Sequence, residues 1–464
     1  MSISFPPRPP AGTAATHSDS PMSTIASSSP SAKGRADASA ASGLRARLDG
    51  QRGWTVFAAL TARGAGFLLG VLITRCAGPQ ALGEYSAIQN TAAAFAAPLQ
   101  TVLGNNVVLG RGGPGQGGAA WQSTVSNSLL ALMLIAAIQL FTTHSQLLQG
   151  LVRADPAAAH AALVEAAFLA SLASQLLGAI LFAGAVGLGL ATPVAAAGSL
   201  LNLLVAAAAV LIIPVFPGDG PLLFLVGSCT AVLLLPAVIL AAAGRRRRDG
   251  NGLAAGLRRA TAMFLGAWPS FATTVLAVFT FWYCTVYLVG SELGVAAVGV
   301  YAVGLQWGTL ILLPVTSWGL LTLQALTDAV QCRHGERQAL AGQMRKNLPV
   351  TALLAGAVAA ASSLIPELYS LDTHDLNQLL LINAAAALAA AANNVWERYF
   401  LARNQRSRWL SYSAIGCGVQ LLFTVTWIEQ GLPIVALGAL LSALCVLLLA
   451  ALDSRRRLRR AEVR

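Results

Sequence analysis

Apolar residues run along this chain in blocks of about 20, broken by short polar stretches, from residue 54 to residue 452. Wound as an α-helix at about 1.5 Å per residue, such a block covers the hydrocarbon thickness of a bilayer. The pattern predicts twelve spans, at 54–75, 84–109, 122–142, 161–183, 192–214, 221–243, 262–289, 296–321, 348–366, 376–397, 409–428 and 433–452. A β-barrel is excluded, because barrel strands alternate polar and apolar residues and a run such as Leu200 to Ile213 does not. The expected fold class is an all-α polytopic membrane protein.

The blocks also repeat. Gly83-Glu84-Tyr85 is followed twelve residues later by Pro98, and Gly299-Val300-Tyr301 is followed at the same spacing by Pro314. The matched positions lie 216 residues apart, and each motif sits early in the second span of its half. The repeat predicts two six-helix bundles related by pseudo-two-fold symmetry, the build of many secondary transporters. The expected domains are a disordered cytoplasmic tail at 1–50, bundles at 54–243 and 262–452, a basic linker at 244–261 and a basic tail at 453–464.

Charge then sets the orientation. Placing the N-terminus inside puts 27 of the 30 lysines and arginines in cytoplasmic segments, all but Arg63, Arg75 and Arg153. The run Arg245–Arg248 falls in the central linker. The net charge of +12 therefore reads as a topology signal rather than a nucleic-acid surface. Both termini are expected in the cytoplasm of a bacterial inner membrane protein. The first fifty residues are rich in Ser, Pro, Ala and Gly and lack the apolar core of a signal peptide, so Met22 is a candidate start.

Candidate chemistry is sparse. No phosphate-binding G-x-x-x-x-G-K loop and no H-E-x-x-H motif occurs. The six cysteines form no C-x-x-C pair, so no metal, no cofactor and no enzymatic activity are expected. The informative residues are polar ones at membrane depth. Arg63 lies mid-span, where a charge costs at least a few kcal/mol. It reads either as an anion-binding group facing a cavity or as a structural arginine with a partner. Gln89 and Gln100 are eleven residues apart and share a helix face, with Asn90 beside Gln89. That face suits a water-filled cavity or interhelical hydrogen bonds. Gln306 occupies the corresponding region of the second repeat. Trp282 and Tyr283 are candidates for stacking on sugar rings, or members of an interfacial aromatic belt. Glu165 is the candidate coupling group, or else a solvated carboxylate at a span end.

Leu72-Ile73-Thr74-Arg75-Cys76-Ala77-Gly78-Pro79-Gln80-Ala81-Leu82-Gly83-Glu84-Tyr85 resembles the junction of the first two helices in Wzx-type polysaccharide flippases. These belong to the multidrug/oligosaccharidyl-lipid/polysaccharide exporter superfamily. Val298-Gly299-Val300-Tyr301 repeats the theme, and Phe400-Leu401-Ala402-Arg403-Asn404 is similar to the family's connection between helices ten and eleven. The resemblance implies a flippase that moves a polyprenyl-diphosphate-linked oligosaccharide to the periplasmic leaflet for O-antigen or exopolysaccharide synthesis. It implies membrane lipids, a polysaccharide polymerase and chain-length machinery as partners. It places Arg63, Gln89, Asn90, Gln100, Gln306, Trp282 and Tyr283 at a cavity for diphosphate and sugars. Many relatives carry an aspartate in the seventh helix near the place of Trp282 and Tyr283, and none stands here, which puts coupling through that group in question. The competing readings are a cation-coupled drug exporter of the same superfamily and a non-transporting scaffold for polysaccharide assembly.

Overall fold

The computed structural model describes residues 32–109, 117–144, 158–188, 190–244, 253–331, 336–371 and 373–462. Arg153, Arg245–Arg248 and Arg333 lie outside the described residues, as do the side chains of Asn105 and Asn106. Among the described residues the chain is helical, without strands. The helices are α1 (Ala32–Leu109), α2 (Gly117–His144), α3 (Ala158–Gly187), α4 (Ala191–Ile212), α5 (Gly220–Gly244), α6 (Leu253–Gly266), α7 (Trp268–Trp282) and α8 (Val295–Ser317). They continue as α9 (Gly319–Gln331), α10 (Glu336–Ala360), α11 (Leu364–Tyr369), α12 (Thr373–Ala402), α13 (Arg406–Trp427) and α14 (Leu432–Glu462). Among the described residues, ten stretches are long and apolar enough to cross a membrane. The first of them, Leu60–Gln100, bends at Gly78 and so supplies the first two predicted spans.

The differences from the predicted spans have local causes. α1 begins at Ala32, inside the segment expected to be disordered, where alanines, arginines and a lysine supply helix propensity. The seventh span breaks at Ala267, and Pro269 stands in the first turn of α7, where its missing N–H has no intrahelical acceptor to lose. Beyond Trp282 the same span widens into π-turns at Tyr283–Tyr287 and Val289–Leu293. The ninth span is divided between α10 and α11, and α10 starts twelve residues earlier than read because its first turns carry charge. The amphipathic α9 follows α8 and was not foreseen.

Much of the packing falls within each half, although α6, from the linker and the start of the second half, packs on α2 of the first. α3 packs on α2, α4 and α5 in the first. In the second, α12 packs on α8, α10 and α14, while α13 packs on α7 and α14. Gly78 and Gly294 bend the chain identically, at φ 87°, ψ 172° and φ 90°, ψ 165°, a left-handed conformation that glycine adopts without a Cβ penalty. These two glycines are also 216 positions apart. The structure therefore carries the sequence repeat at a level of detail that the Gly-x-Tyr motifs alone do not show.

Candidate functional site

The two halves meet at the end of the bundle that holds Gly78 and Gly294. A Cβ placed on Gly83 would collide with the carbonyl of Val295, and one on Gly299 would collide with the carbonyl of Pro79. Gly83 and Gly299 are repeat equivalents, and so are Pro79 and Val295. The contact is thus reciprocal, as a two-fold axis running between them requires. Tyr85 and Tyr301, two residues further on, are both buried. Arg75 adds a strap: its Nε donates to the Leu368 carbonyl at 2.8 Å and its Nη2 to the Glu367 carbonyl at 3.1 Å. Both carbonyls belong to the last turn of α11, where the helix dipole favours a cation.

One layer deeper, Thr91 and Trp307 form a second equivalent pair. Thr91 Oγ1 accepts the indole N–H of Trp282 at 2.9 Å. Trp307 packs edge-on against Phe67, with centroids 4.8 Å apart. Beside it, Gly70 leaves room for the Gln306 amide, whose Oε1 accepts from Tyr369 at 3.1 Å. On the other side Phe95 meets Phe279 at 5.3 Å.

Arg63 lies one helical turn further from Gly78 than Phe67 and on the same face of α1, since i and i+4 share a face. That face points at α8. The guanidinium is exposed, and a Cβ on neighbouring Gly64 would meet nothing within 4 Å. No carboxylate pairs with Arg63 among the described residues.

The adjacent face of α1 borders a different space. Ala62, Ala65 and Gly66 help to wall a chamber of about 170 Å³ inside the first half, with Tyr85, Gln89, Ser174, Asn202 and Ser228 as its polar lining. Gln175 Nε2 donates to the Gln89 carbonyl at 3.4 Å. The chamber lining contains no acid and no base.

The predicted residues are therefore distributed rather than gathered. Arg63 is exposed on α1, while Gln89 lines the chamber. Gln306 and Trp282 are engaged in contacts between the halves. Tyr283 stacks on Tyr287 at 5.3 Å. Asn90, the repeat equivalent of Gln306, is half-buried, as are Gln100 and Glu165. Sequence reasoning missed Thr91 and Tyr369, whose partners lie far away in the chain. It also missed a cluster in the first half: the His160 Nδ1 is 2.9 Å from Asp219 and its Nε2 is 3.7 Å from Glu84.

The helical architecture, with its two halves in contact at the Gly78 and Gly294 end, is similar in fold to solved transporters of the MOP superfamily. An inward-facing multidrug resistance MATE family transporter matches with TM-score 0.61 and 13% identity, over 88% of this chain and 95% of that one. The lipid II flippase MurJ, in an inward closed conformation, matches with TM-score 0.61 and 15% identity, over 86% and 87%. A MOP superfamily transporter from Pyrococcus furiosus, described as having a binding pocket of reversed polarity, matches with TM-score 0.59 and 14% identity, over 88% and 95%. At these identities the likeness is one of fold. No family model and no curated protein matches the sequence.

Proposed function

We propose that this protein is an inner-membrane flippase for a polyprenyl-diphosphate-linked oligosaccharide, working by alternating access during O-antigen or exopolysaccharide synthesis. The observation that carries the reading is Arg63, an exposed cation with no acid beside it among the described residues, on the face of α1 that looks toward α8. A fixed guanidinium in a site of lowered dielectric suits a diphosphate, which accepts two parallel N–H donors. A cationic drug would meet the wrong charge there and would find no carboxylate in the chamber of the first lobe. The lobes are taken as 54–243 and 262–452, with the Gly78 end periplasmic, as the basic residues imply. Gln89, Asn90, Gln100, Gln306 and Tyr283 are polar contacts for sugars as the lobes rearrange, and Trp282 becomes available only when its bond to Thr91 opens. The fold match to a lipid II flippase supports a lipid-linked cargo, whereas the matches to multidrug transporters keep the exporter as the rival reading.

Arg63→Ala is expected to abolish surface polysaccharide while membrane abundance of the protein stays unchanged. Arg63→Lys retains part of the activity, because the charge survives without the two-pronged geometry. Normal polysaccharide in the Arg63→Ala strain would end the flippase assignment of this residue and return the exporter to first place.

A further inference from the structure

Between α4 and α5 the first half carries a groove of about 310 Å³, beside the chamber described above. Leu204, Ala208 and Ile212 line it from α4, and Leu223, Gly227 and Ala231 line it from α5. Each set keeps a four-residue spacing, so one face of each helix supplies a wall. The stretch from Leu204 to Ile212 is about 12 Å long at about 1.5 Å per residue. Leu204, Ile212, Leu223 and Gly227 are exposed, and both helices are long and apolar enough to cross a membrane. The medium that meets the groove is therefore hydrocarbon. A Cβ on Gly227 would meet nothing within 4 Å, so the groove is open at that point.

Val205, Phe224 and Ser228 line both the groove and the chamber, so an apolar space and a polar one adjoin. Together they reach the size of an ordinary ligand site, about 300–1,000 Å³. Asn202, within the α4 span, lines the chamber, and its amide makes no hydrogen bond among the described residues. A carboxamide offers two donors and two lone pairs, and leaving them unbonded at membrane depth is costly. Ser174 and Ser228 already donate to the carbonyls of Ser171 and Leu225, both at 3.1 Å, and their oxygens can still accept. No acid or base lines the chamber. A charged head would lose water there without gaining a counter-charge.

We propose that the groove and the chamber form one binding site for a lipid with an uncharged, hydroxyl-bearing head, of which a diacylglycerol is the simplest. One acyl chain lies along α4 and α5 in the groove. The head reaches the chamber at Ser228, the polar member of the shared boundary. There its hydroxyl accepts from the Asn202 amide nitrogen or donates to the amide oxygen, since a hydroxyl does both. The groove occupies the parts of α4 and α5 nearest the turn at 213–219, so the lipid comes from the leaflet on that side. Arg63 lines neither space, and the inference goes beyond the cargo reading without depending on it.

The probe is a diacylglycerol with a photoreactive diazirine in one acyl chain. It is added to the full chain in nanodiscs of phosphatidylethanolamine and phosphatidylglycerol, and crosslinked peptides are located by mass spectrometry. Crosslinks should concentrate on residues 204–212 and 223–231. Unlabelled diacylglycerol should displace them, whereas phosphatidic acid with the same chains should not. Asn202→Leu should weaken labelling by roughly threefold to tenfold, which is what the loss of one hydrogen bond amounts to. Gly227→Phe, which fills the open point of the groove, should weaken it by about tenfold. Gly198→Phe, equally open but outside the groove on α4, should label like the unsubstituted protein. Labelling spread evenly over the lipid-facing helices and insensitive to diacylglycerol would mean bulk bilayer contact only and would overturn the proposal. So would full labelling in both Asn202→Leu and Gly227→Phe, or equal displacement by phosphatidic acid. Displacement by a polyprenyl diphosphate alone would give the groove to the cargo and reject the uncharged lipid. No transport step enters the experiment, so its failure leaves the Arg63 reading untouched, and normal polysaccharide in the Arg63→Ala strain leaves this site untouched.

Discussion

At the residue scale, single side chains tie the lobes together through partners far apart in sequence. The bond from the Trp282 indole N–H to Thr91 Oγ1 is buried and spans 191 positions. Thr91 in turn donates to the Ala87 carbonyl at 2.6 Å, so its hydroxyl is used in both senses. Within membrane bundles such a bond averages about 0.6 kcal/mol, because the separated partners find other acceptors. A double-mutant cycle of Trp282→Phe and Thr91→Val should therefore show a coupling energy of about that size in the stability of the closed form. Additive effects of the two changes would mean that the contact is geometric only. Arg63 shows what a residue alone conveys and what it does not. Its mid-span position marks it as unusual in the sequence. Its sequence position leaves open whether it has a partner, and among the described residues no carboxylate pairs with it.

At the element scale the informative feature is the bend. Gly78 turns one continuous helical stretch into two spans, and Gly294 does the same job between the π-turn at Val289–Leu293 and α8. The hydropathy pattern placed both breaks without indicating their shape. Gly83 and Gly299 then bring the backbones of the two lobes into direct contact, where no side chain fits. Gly83→Ala and Gly299→Ala each place a methyl against a backbone carbonyl that has no flexible side chain to move aside. Both substitutions should bias the transporter toward separation at this end. The distance distribution between spin labels placed at the exposed positions Gln80 and Ala296 should show a larger separated population in each variant than in the unsubstituted protein, with the double variant at least as open as either one. By contrast, Gly198→Ala on α4, where a Cβ meets nothing within 4 Å, should leave the distribution unchanged.

At the scale of the whole molecule, orientation is the property the coordinates leave to the charge distribution. Reporter fusions after Asp155 and Asp372 should read periplasmic, and a fusion after Gly250 should read cytoplasmic, because the basic residues gather at the linker and the tails. An external reading at Gly250 would invert the molecule and with it the direction of transport. Much of the architecture was legible in the sequence. The length of the apolar blocks determined helices that cross the membrane, because hydrocarbon demands that every backbone group be bonded within its own segment. The repeat at 216 positions determined two similar lobes, since equal sequence patterns bury equal faces. The tertiary structure decided which polar residues share a space. Gln89 and Arg63 are both polar and on neighbouring spans, yet Gln89 lines a chamber of the first half and Arg63 does not, because neighbouring faces of one pair of spans look in different directions. It also decided that His160, Glu84 and Asp219 meet. Their separations in sequence have no helical period, and only the packing of α1, α3 and the start of α5 brings an imidazole between two carboxylates.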